Sequence, residues 1–348
     1  MAPVLLFLLL AGLLATRPHA ALARWMAARS VLSSLSVLEE NQLSGLPSCH
    51  GNCSGKGVCS QHNTCACFPG YGGHHCQHRL CDNCGLPSFV IIGVQKGGTT
   101  SLHGYLGHHP QLRRPPKLHY FEPSRNLHAQ PLAWYLRQFD PPECAAPGEL
   151  AGPHWPLQKK MCGEGSPHYS MEYDAPRLLA ALSPAAKLVF LVRCPIKRAY
   201  SAWYMNVRKG TRHGTWAQVA TDQMARLSTC LPDWARCNQL GLVEGNKIIA
   251  RSLYFFQMQR WLQFFPRHQV LLVQSERFFN RTQEELDRIH SFLGVSRFRY
   301  SRRHVSENRN PGGTYAPMDA ELYTSLHAFY HNYTRQFYDL AGVDYGWP

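Results

Sequence analysis

Acidic side chains are scarce in this chain of 348 residues, which has 22 Asp and Glu against 36 Lys and Arg. The resulting formal net charge of +14 favours polyanionic partners such as nucleic acid, anionic glycans or nucleotide phosphates, and charge alone does not choose among them. Internal repeats and low-complexity tracts are also missing, which argues against a solenoid or a disordered chain. The hydrophobic content of 45% is sufficient for a folded core.

Long apolar runs are missing as well. The most extended one, residues 4–15, is short for a bilayer span and is followed by small residues, so we predict a signal peptide over residues 1–23. A short signal anchor that tethers the protein to a membrane is the alternative, although Arg17 and the lack of a basic flank before the run disfavour it. We predict a stalk over residues 24–48 and a location in the Golgi lumen, with secretion as the alternative.

The segment 49–76 has neither the acidic residues of a calcium site nor the ligand pairs of a zinc knuckle, although histidines lie among its thiols. It contains six of the thirteen cysteines, a density that suits an oxidising compartment. A segment of this length has no core, so disulfides are expected to hold it folded. The triplets that begin at Asn52, Asn280 and Asn332 match the pattern of glycosylation acceptors.

The cysteine spacing C-x3-C-x5-C-x5-C-x-C-x8-C resembles an epidermal-growth-factor-like module of the tenascin type. Six cysteines permit about fifteen pairings. The resemblance implies Cys49–Cys59, Cys53–Cys65 and Cys67–Cys76. We expect a linker at residues 77–87 after this module.

From Ser88 to the C-terminus, buried strands alternate with helices, which predicts an α/β domain with a parallel sheet over residues 88–348. The predicted strands are residues 88–94, 187–193 and 269–278. The predicted helices are residues 100–106, 196–208, 246–265 and 282–294, the last capped by Thr282 and ended by Gly294. Disulfides are possible between Cys81 and Cys84, Cys144 and Cys162, and Cys230 and Cys237, which leaves Cys194 as a buried thiol.

The sequence Gly93-Val-Gln-Lys-Gly-Gly-Thr-Thr-Ser101 joins the first strand to the first helix. Gly97 and Gly98 allow a tight turn, and the helix N-terminus directs its dipole at the same point, so the segment predicts an anion cradle. A nucleoside triphosphatase loop carries its lysine after the glycines, whereas Lys96 precedes them. No carboxylate follows the second strand to hold a metal, which also disfavours a kinase or phosphatase. The alternative is a plain turn with a solvent-facing lysine.

A second cationic position follows the next long strand. Arg193 ends that strand, and Ser201 lies two turns into the helix behind Pro195. Because the carboxyl ends of parallel strands face one crevice, these residues could hold a second phosphate beside the first. Taken alone, Arg193 is more often a surface charge. Together with the loop at Lys96, it indicates a nucleotide with two separated phosphate groups.

At these residues the sequence resembles the sulfotransferases that use 3′-phosphoadenosine-5′-phosphosulfate (PAPS), in particular the lumenal heparan-type glycan enzymes. The motifs are "GVQKGGTTSLHGYLGHHP" and "LVRCPIKRAYSAWY", followed in order by "VLLVQSERF" and "FLG". The resemblance implies a P-loop-like parallel sheet flanked by helices, PAPS as the cosubstrate and no metal. It implies that Lys96 contacts the 5′-phosphate and the bridging oxygen, and that a loop at residues 309–315 closes over the nucleotide. The phosphosulfate would be held by Gly97, Gly98, Thr99, Thr100 and Ser101, and the 3′-phosphate by Arg193 and Ser201.

The acceptor side departs from the family pattern. Lys117 stands where relatives carry a glutamate base, and Gly165 stands where they often carry a lysine. The alternatives are that His119 or Glu122 is the base, that Lys117 acts as a neutral amine, or that activity is lost. We favour His119, whose imidazole suits proton transfer, over a histidine that only packs beside its aromatic neighbours. Lys117 and Gly165 could also be a compensating exchange that restores positive charge.

The sequence therefore predicts a sulfotransferase that acts on a hydroxyl or amine of an anionic glycan or glycoprotein, with no nucleic acid partner. One alternative is a catalytically impaired protein that binds anionic glycans through its basic surface. Another is the sulfation of protein tyrosine, because those enzymes share the same donor loop. Glu276 is expected to brace the crevice floor.

Overall fold

The computed structural model describes Cys49 and residues 53–54, 57–59, 64–67, 71–79, 85–122, 130–140, 144, 160–211, 214–301 and 315–347. The predicted signal peptide and stalk lie outside these residues, as do Asn52, Cys81, Cys84 and residues 309–314 of the predicted closing loop. Within the described ranges, no helix is long and apolar enough to span a bilayer.

The cysteine-rich segment contains two small antiparallel hairpins. In the first, β1 (Gly57–Cys59) pairs with β2 (Cys65–Cys67), and in the second, β3 (Tyr71–Gly72) pairs with β4 (His78–Arg79). The predicted Cys53–Cys65 bridge is present, which removes both thiols from any zinc site. Cys49 and Cys76 are also disulfide-bonded, while the side chains of their predicted partners are outside the described part. The growth-factor-like identity of this segment stays a prediction.

A four-stranded parallel sheet forms the centre of the larger domain, in the order β6-β5-β7-β8. The strands are β5 (Phe89–Gly93), β6 (Gly163–Glu164), β7 (Lys187–Val192) and β8 (Val270–Gln274). Phe89 lies opposite both Gly163 and Lys187, so the amino ends of three strands are aligned. The predicted parallel sheet is confirmed, and the short edge strand β6 is the member that the sequence pattern did not indicate.

Helices lie on both faces of this sheet, because alternate residues of β5 and β7 belong to two separate cores. Val90 and Phe190 pack in one core, whereas Ile91 and Val189 pack in the other. The helices are α1 (Thr99–Leu106), α2 (Leu132–Arg137), α3 (Ala175–Leu182), α4 (Pro195–Arg208), α5 (Trp216–Ser228), α6 (Trp234–Gln239), α7 (Leu242–Gly245), α8 (Lys247–Ala250), α9 (Tyr254–Leu262), α10 (Ser275–Asn280), α11 (Thr282–Leu293) and α12 (Ala320–Ala341).

Three expected boundaries are wrong. The helix predicted over residues 246–265 is divided into α8 and α9, because Arg251 and Ser252 leave the helical path and bond to other segments. The strand predicted to reach residue 278 ends at Gln274, where α10 begins. Thr282 does not cap α11; its hydroxyl lies 3.5 Å from the carbonyl of Phe279. Gly294 ends that helix as predicted, in the left-handed region with φ 83°.

The predicted bridges Cys144–Cys162 and Cys230–Cys237 are present, and Cys194 is a buried free thiol. The first bridge ties an outer segment to the residue before β6. The predicted glycosylation positions Asn280 and Asn332 are both exposed.

We expect Gly163→Ala to weaken the edge of the sheet. A Cβ at this position would lie 2.4 Å from the carbonyl oxygen of Phe89 and 2.6 Å from its ring. Since these atoms belong to a buried paired strand, the substitution should lower the free energy of unfolding by about 2–4 kcal/mol, measured by chemical denaturation. Gly245→Ala is the control, because a Cβ there meets nothing within 4 Å. Equal stability of the two variants would contradict this account of β6.

Candidate active site

The ends of all four parallel strands meet at one edge of the sheet, and the loop after β5 forms the centre of this edge. Lys96 adopts φ 74° and Gly98 adopts φ 97°, so the chain turns sharply before α1 begins at Thr99. The left-handed conformation is unusual at a lysine and is found mainly where surrounding contacts enforce it. The turn leaves the first N–H groups of α1 at the strand end, as an anion cradle requires.

Two neighbouring strand ends hold this loop in place. The Ser275 hydroxyl, which follows β8, lies 2.6 Å from the carbonyl oxygen of Gly97 and 2.9 Å from that of Val192. The Arg193 guanidinium, which follows β7, donates to the carbonyl of Lys96 at 3.2 Å. Glu276 accepts the N–H of Cys194 at 3.0 Å, in keeping with its expected bracing role. The loop is therefore held by groups that follow two neighbouring strands, β7 and β8.

Positive charge is concentrated around Lys96. Burial lowers the pKa of its ammonium group, and the nearby charges of Arg208, Arg193, Lys209 and Arg198 lower it further, in that order. After burial, the largest influences on this pKa all come from cationic side chains. A cluster of like charges next to helix N–H groups is stabilised when an anion binds. The electrostatics therefore favour an anionic ligand at this strand edge.

Ser201 lies on α4 behind Arg193, as predicted. It is buried, and its hydroxyl is 2.8 Å from the hydroxyl of Tyr315. The Tyr315 ring stacks on Tyr204 with centroids 4.5 Å apart. The only described residue of the predicted closing loop is thus attached to the helix that carries Ser201.

On the acceptor side, a turn at residues 117–122 brings His119 and Glu122 together. His119 adopts φ 52° and donates its backbone N–H to Ser166 Oγ at 2.9 Å. Its Nδ1 lies 2.5 Å from Glu122 Oε1, and the Glu122 carboxyl group is almost fully buried. Burial acts to raise the pKa of Glu122, but hydrogen bonds from His119 and His168 outweigh it and hold the pKa at about 2. Glu122 is therefore a carboxylate that accepts hydrogen bonds from two imidazole N–H groups.

A chain of hydrogen bonds connects this carboxylate to the residue before Lys96. His168 Nδ1 lies 3.2 Å from Glu122 Oε2, and His168 Nε2 lies 3.1 Å from Gln95 Nε2. Arg251 Nη1 donates to Gln95 Oε1 at 2.7 Å. Sequence reasoning missed His168, Gln95 and Arg251, which come from three distant parts of the chain.

The donors in this series of hydrogen bonds fix the proton positions. A guanidinium only donates, so Gln95 presents its oxygen to Arg251 and its N–H to His168. His168 must then carry its proton on Nδ1 and donate it to Glu122, and burial lowers its pKa so that the ring is neutral. His119 likewise donates from Nδ1 to the carboxylate. When its ring is neutral, His119 Nε2 is left as a base.

The same three side chains resemble a metal site, because the ligand atoms of His119, Glu122 and His168 lie within 4.8 Å of one another. A histidine that binds a metal usually donates its other ring N–H to an acceptor. His168 instead receives the amide N–H of Gln95 on its other nitrogen. The surrounding groups therefore suit a hydrogen-bonded proton carrier and not a metal ligand.

Gly165 and Lys117 are both close to His103. A Cβ at Gly165 would be 1.9 Å from His103 Nε2, so the buried imidazole occupies the space of a side chain at position 165. Burial and the nearby charge of Lys117 lower the pKa of His103 to about 3, which keeps it neutral. Lys117 Nζ donates to Thr100 Oγ1 at 3.2 Å. The ammonium group of Lys117 thus contacts the end of the loop between β5 and α1.

Comparison with known proteins gives a domain match over most of the larger domain. A sulfotransferase-domain family model matches residues 86–310. Human heparan sulfate glucosamine 3-O-sulfotransferase 3B1 is 27% identical over 285 residues, which cover 75% of this chain and 65% of the relative. The mouse 3A1 enzyme of the same description is 28% identical over 285 residues, which cover 75% of this chain and 64% of the relative. The matched region thus covers slightly less than two thirds of these relatives.

Among solved structures, a sulfotransferase from Alicyclobacillus acidocaldarius superposes with a TM-score of 0.56. The match covers 74% of this chain and 96% of that chain, with 24% sequence identity. This likeness concerns the fold.

We expect Gly165→Ala to destabilise the protein through its contact with His103. The added methyl group has no space beside the imidazole, so the free energy of unfolding should fall by about 1–3 kcal/mol. In the double variant His103→Ala/Gly165→Ala, the loss should be smaller than the sum of the single losses by about 1 kcal/mol or more. Chemical denaturation of the four proteins measures this coupling. Strictly additive losses would mean that the two positions do not share the space.

Proposed function

Because the chain belongs to the sulfotransferase-domain family, we propose that it transfers a sulfuryl group from PAPS to a hydroxyl or amine of a glycan by in-line displacement. The hydrogen-bond chain that joins His119 to the donor loop is the observation that carries the proposal. Relatives whose names specify heparan sulfate glucosamine support a glycan acceptor. The net charge of +14 suits an anionic glycan or glycoprotein.

PAPS is the sulfuryl donor of this family. The N–H groups and hydroxyls at Gly97, Gly98, Thr99, Thr100 and Ser101 hold the phosphosulfate, while Arg193 and Ser201 hold the 3′-phosphate. Lys96 contacts the 5′-phosphate and the bridging oxygen, where its charge stabilises the leaving phosphate as negative charge grows. The crowded cations around Lys96 support this role, because a nucleotide with two phosphate groups supplies the missing negative charge.

In the transfer step, the acceptor oxygen or nitrogen attacks the sulfur while the bond from sulfur to the phosphate oxygen breaks. His119 Nε2 takes the proton of the acceptor, and adenosine 3′,5′-bisphosphate (PAP) leaves. Glu122 holds the imidazole through Nδ1 and stabilises the imidazolium that forms. Glu122, the alternative candidate for the base, is thus a positioning group for His119.

We further propose that this reaction takes place in the lumen of the secretory pathway. The disulfides Cys144–Cys162 and Cys230–Cys237 support an oxidising compartment. The signal peptide or membrane tether predicted at residues 1–23 agrees with this location.

Replacement of Lys96 by Met should weaken the binding of PAP, because one cation next to the phosphate is lost. The dissociation constant measured by calorimetry should rise about 10- to 100-fold. The control is Arg226→Met, which removes one positive charge from an exposed position on α5. An unchanged dissociation constant for Lys96→Met would overturn the assignment of the donor site.

His119→Asn tests the base. The amide can still donate to Glu122, but it cannot accept the acceptor proton, so kcat should fall about 10²- to 10⁴-fold. The dissociation constant of PAP should stay within about twofold, because His119 is not assigned to the donor site. Transfer of labelled sulfate from PAPS to heparan sulfate oligosaccharides provides the rate.

The outcomes separate the alternatives. If His119→Asn transfers sulfate at the wild-type rate, another group is the base. PAP binding by the wild-type protein with no transfer to any glycan or tyrosine peptide would favour the glycan-binding alternative.

A further inference from the structure

A cavity of about 370 Å³ lies beside α1, and of the residues that line it only Thr100 has a role in the proposed reaction. It begins at Thr100 and extends to His103, one turn further along the helix from the glycine pair. Its opposite wall is the segment that precedes the His119 turn. The lining residues are Thr100, His103, Arg114, Pro115, Pro116 and Lys117.

The cavity wall carries positive charge and no negative charge. Arg114 and Lys117 are both exposed, and neither has a carboxylate within salt-bridge distance in the described ranges. Partial burial lowers the pKa of the Lys117 ammonium group, and the charge of Arg114 lowers it further. Two neighbouring cations that repel each other are stabilised by an anion between them.

The wall is held by several fixed contacts. The Pro116 carbonyl accepts the N–H of Gly165 at 2.9 Å, which attaches this segment beside β6. Two consecutive prolines restrict the backbone between Arg114 and Lys117. A Cβ at Gly107 would lie 2.9 Å from Arg114 Cγ, so the arginine stem packs directly on the end of α1. The two cations are therefore presented by a rigid segment.

We propose that this cavity is an oxyanion subsite, which holds a sulfate or carboxylate group of the acceptor next to the group that is sulfated. The inference rests on the proposed function and identifies the acceptor as one with a negative group close to its reactive atom. The donor is the other possible source of an oxyanion. We favour the acceptor because the cavity runs along α1 away from Lys96 and the glycine pair. The contact between Lys117 and Thr100 places the near end of the cavity beside the loop.

The test measures acceptor and donor binding separately. A sulfated heparan sulfate tetrasaccharide is titrated into PAP-saturated enzyme, and PAP is titrated into free enzyme, for wild type, Arg114→Ala and Arg114→Lys. We expect Arg114→Ala to raise the dissociation constant of the tetrasaccharide about tenfold and that of PAP less than about twofold. Arg114→Lys should recover most of the loss because it restores the charge. Arg226→Ala, on exposed α5, is the charge-matched control and should leave both constants unchanged.

Three results would overturn the subsite. In the first, Arg114→Ala leaves the dissociation constant of the tetrasaccharide unchanged. In the second, it raises that constant no more than Arg226→Ala does. In the third, it raises the dissociation constant of PAP instead, which would identify the donor as the source of the oxyanion. These binding measurements need no turnover, so they remain decisive if the wild-type enzyme transfers no sulfate. In that case the proposed transfer reaction fails, while the subsite is judged on the dissociation constants alone.

Discussion

The turn that carries His119 depends on one interaction, the hydrogen bonding of the buried Glu122 carboxylate. A carboxylate removed from water is costly unless hydrogen bonds replace its hydration, and here two imidazole N–H groups do so. Because His168 is held in turn by Gln95 and Arg251, the carboxylate links the His119 turn, the segment after β6, the donor loop and the break between α8 and α9. This one charged group therefore helps to set the position of His119 relative to the loop that carries Lys96.

The same constraint explains why α8 and α9 are separate helices. The sequence from residue 246 to 265 has an unbroken amphipathic pattern, and local propensity gives no reason for a break. Arg251 is nevertheless buried, with 5% of its surface exposed, and it donates to Gln95. The next residue, Ser252, donates to the carbonyl of Pro195 at 2.9 Å. A continuous helix could not direct both side chains this way. Tertiary hydrogen bonds at the site therefore override the helical pattern.

The turn at Lys96 and the start of α1 could be predicted from sequence because their determinants are local; the binding of the donor there stays a prediction. Lys96, the glycine pair and the start of α1 are consecutive, and Arg193 follows a strand whose apolar run is unmistakable. The acceptor half could not, because Gln95 and His168 are 73 residues apart and Gln95 and Arg251 are 156 apart. Likewise, no sequence pattern indicates that His103 fills the space beside Gly165. The two-residue strand β6 was missed because it is too short for a hydrophobic periodicity.

These contacts also give a physical account of the lysine at position 117. Its ammonium group donates to Thr100 Oγ1 at 3.2 Å, which places a positive charge beside the loop between β5 and α1. With Lys117 in that place, the base that we propose is His119, two residues further along the chain, where Glu122 holds its ring through Nδ1. Positive charge faces the anionic reactants, and negative charge is buried away from them. The departure at position 117 is therefore compatible with transfer, provided that His119 has the base function that the hydrogen bonds of its ring allow.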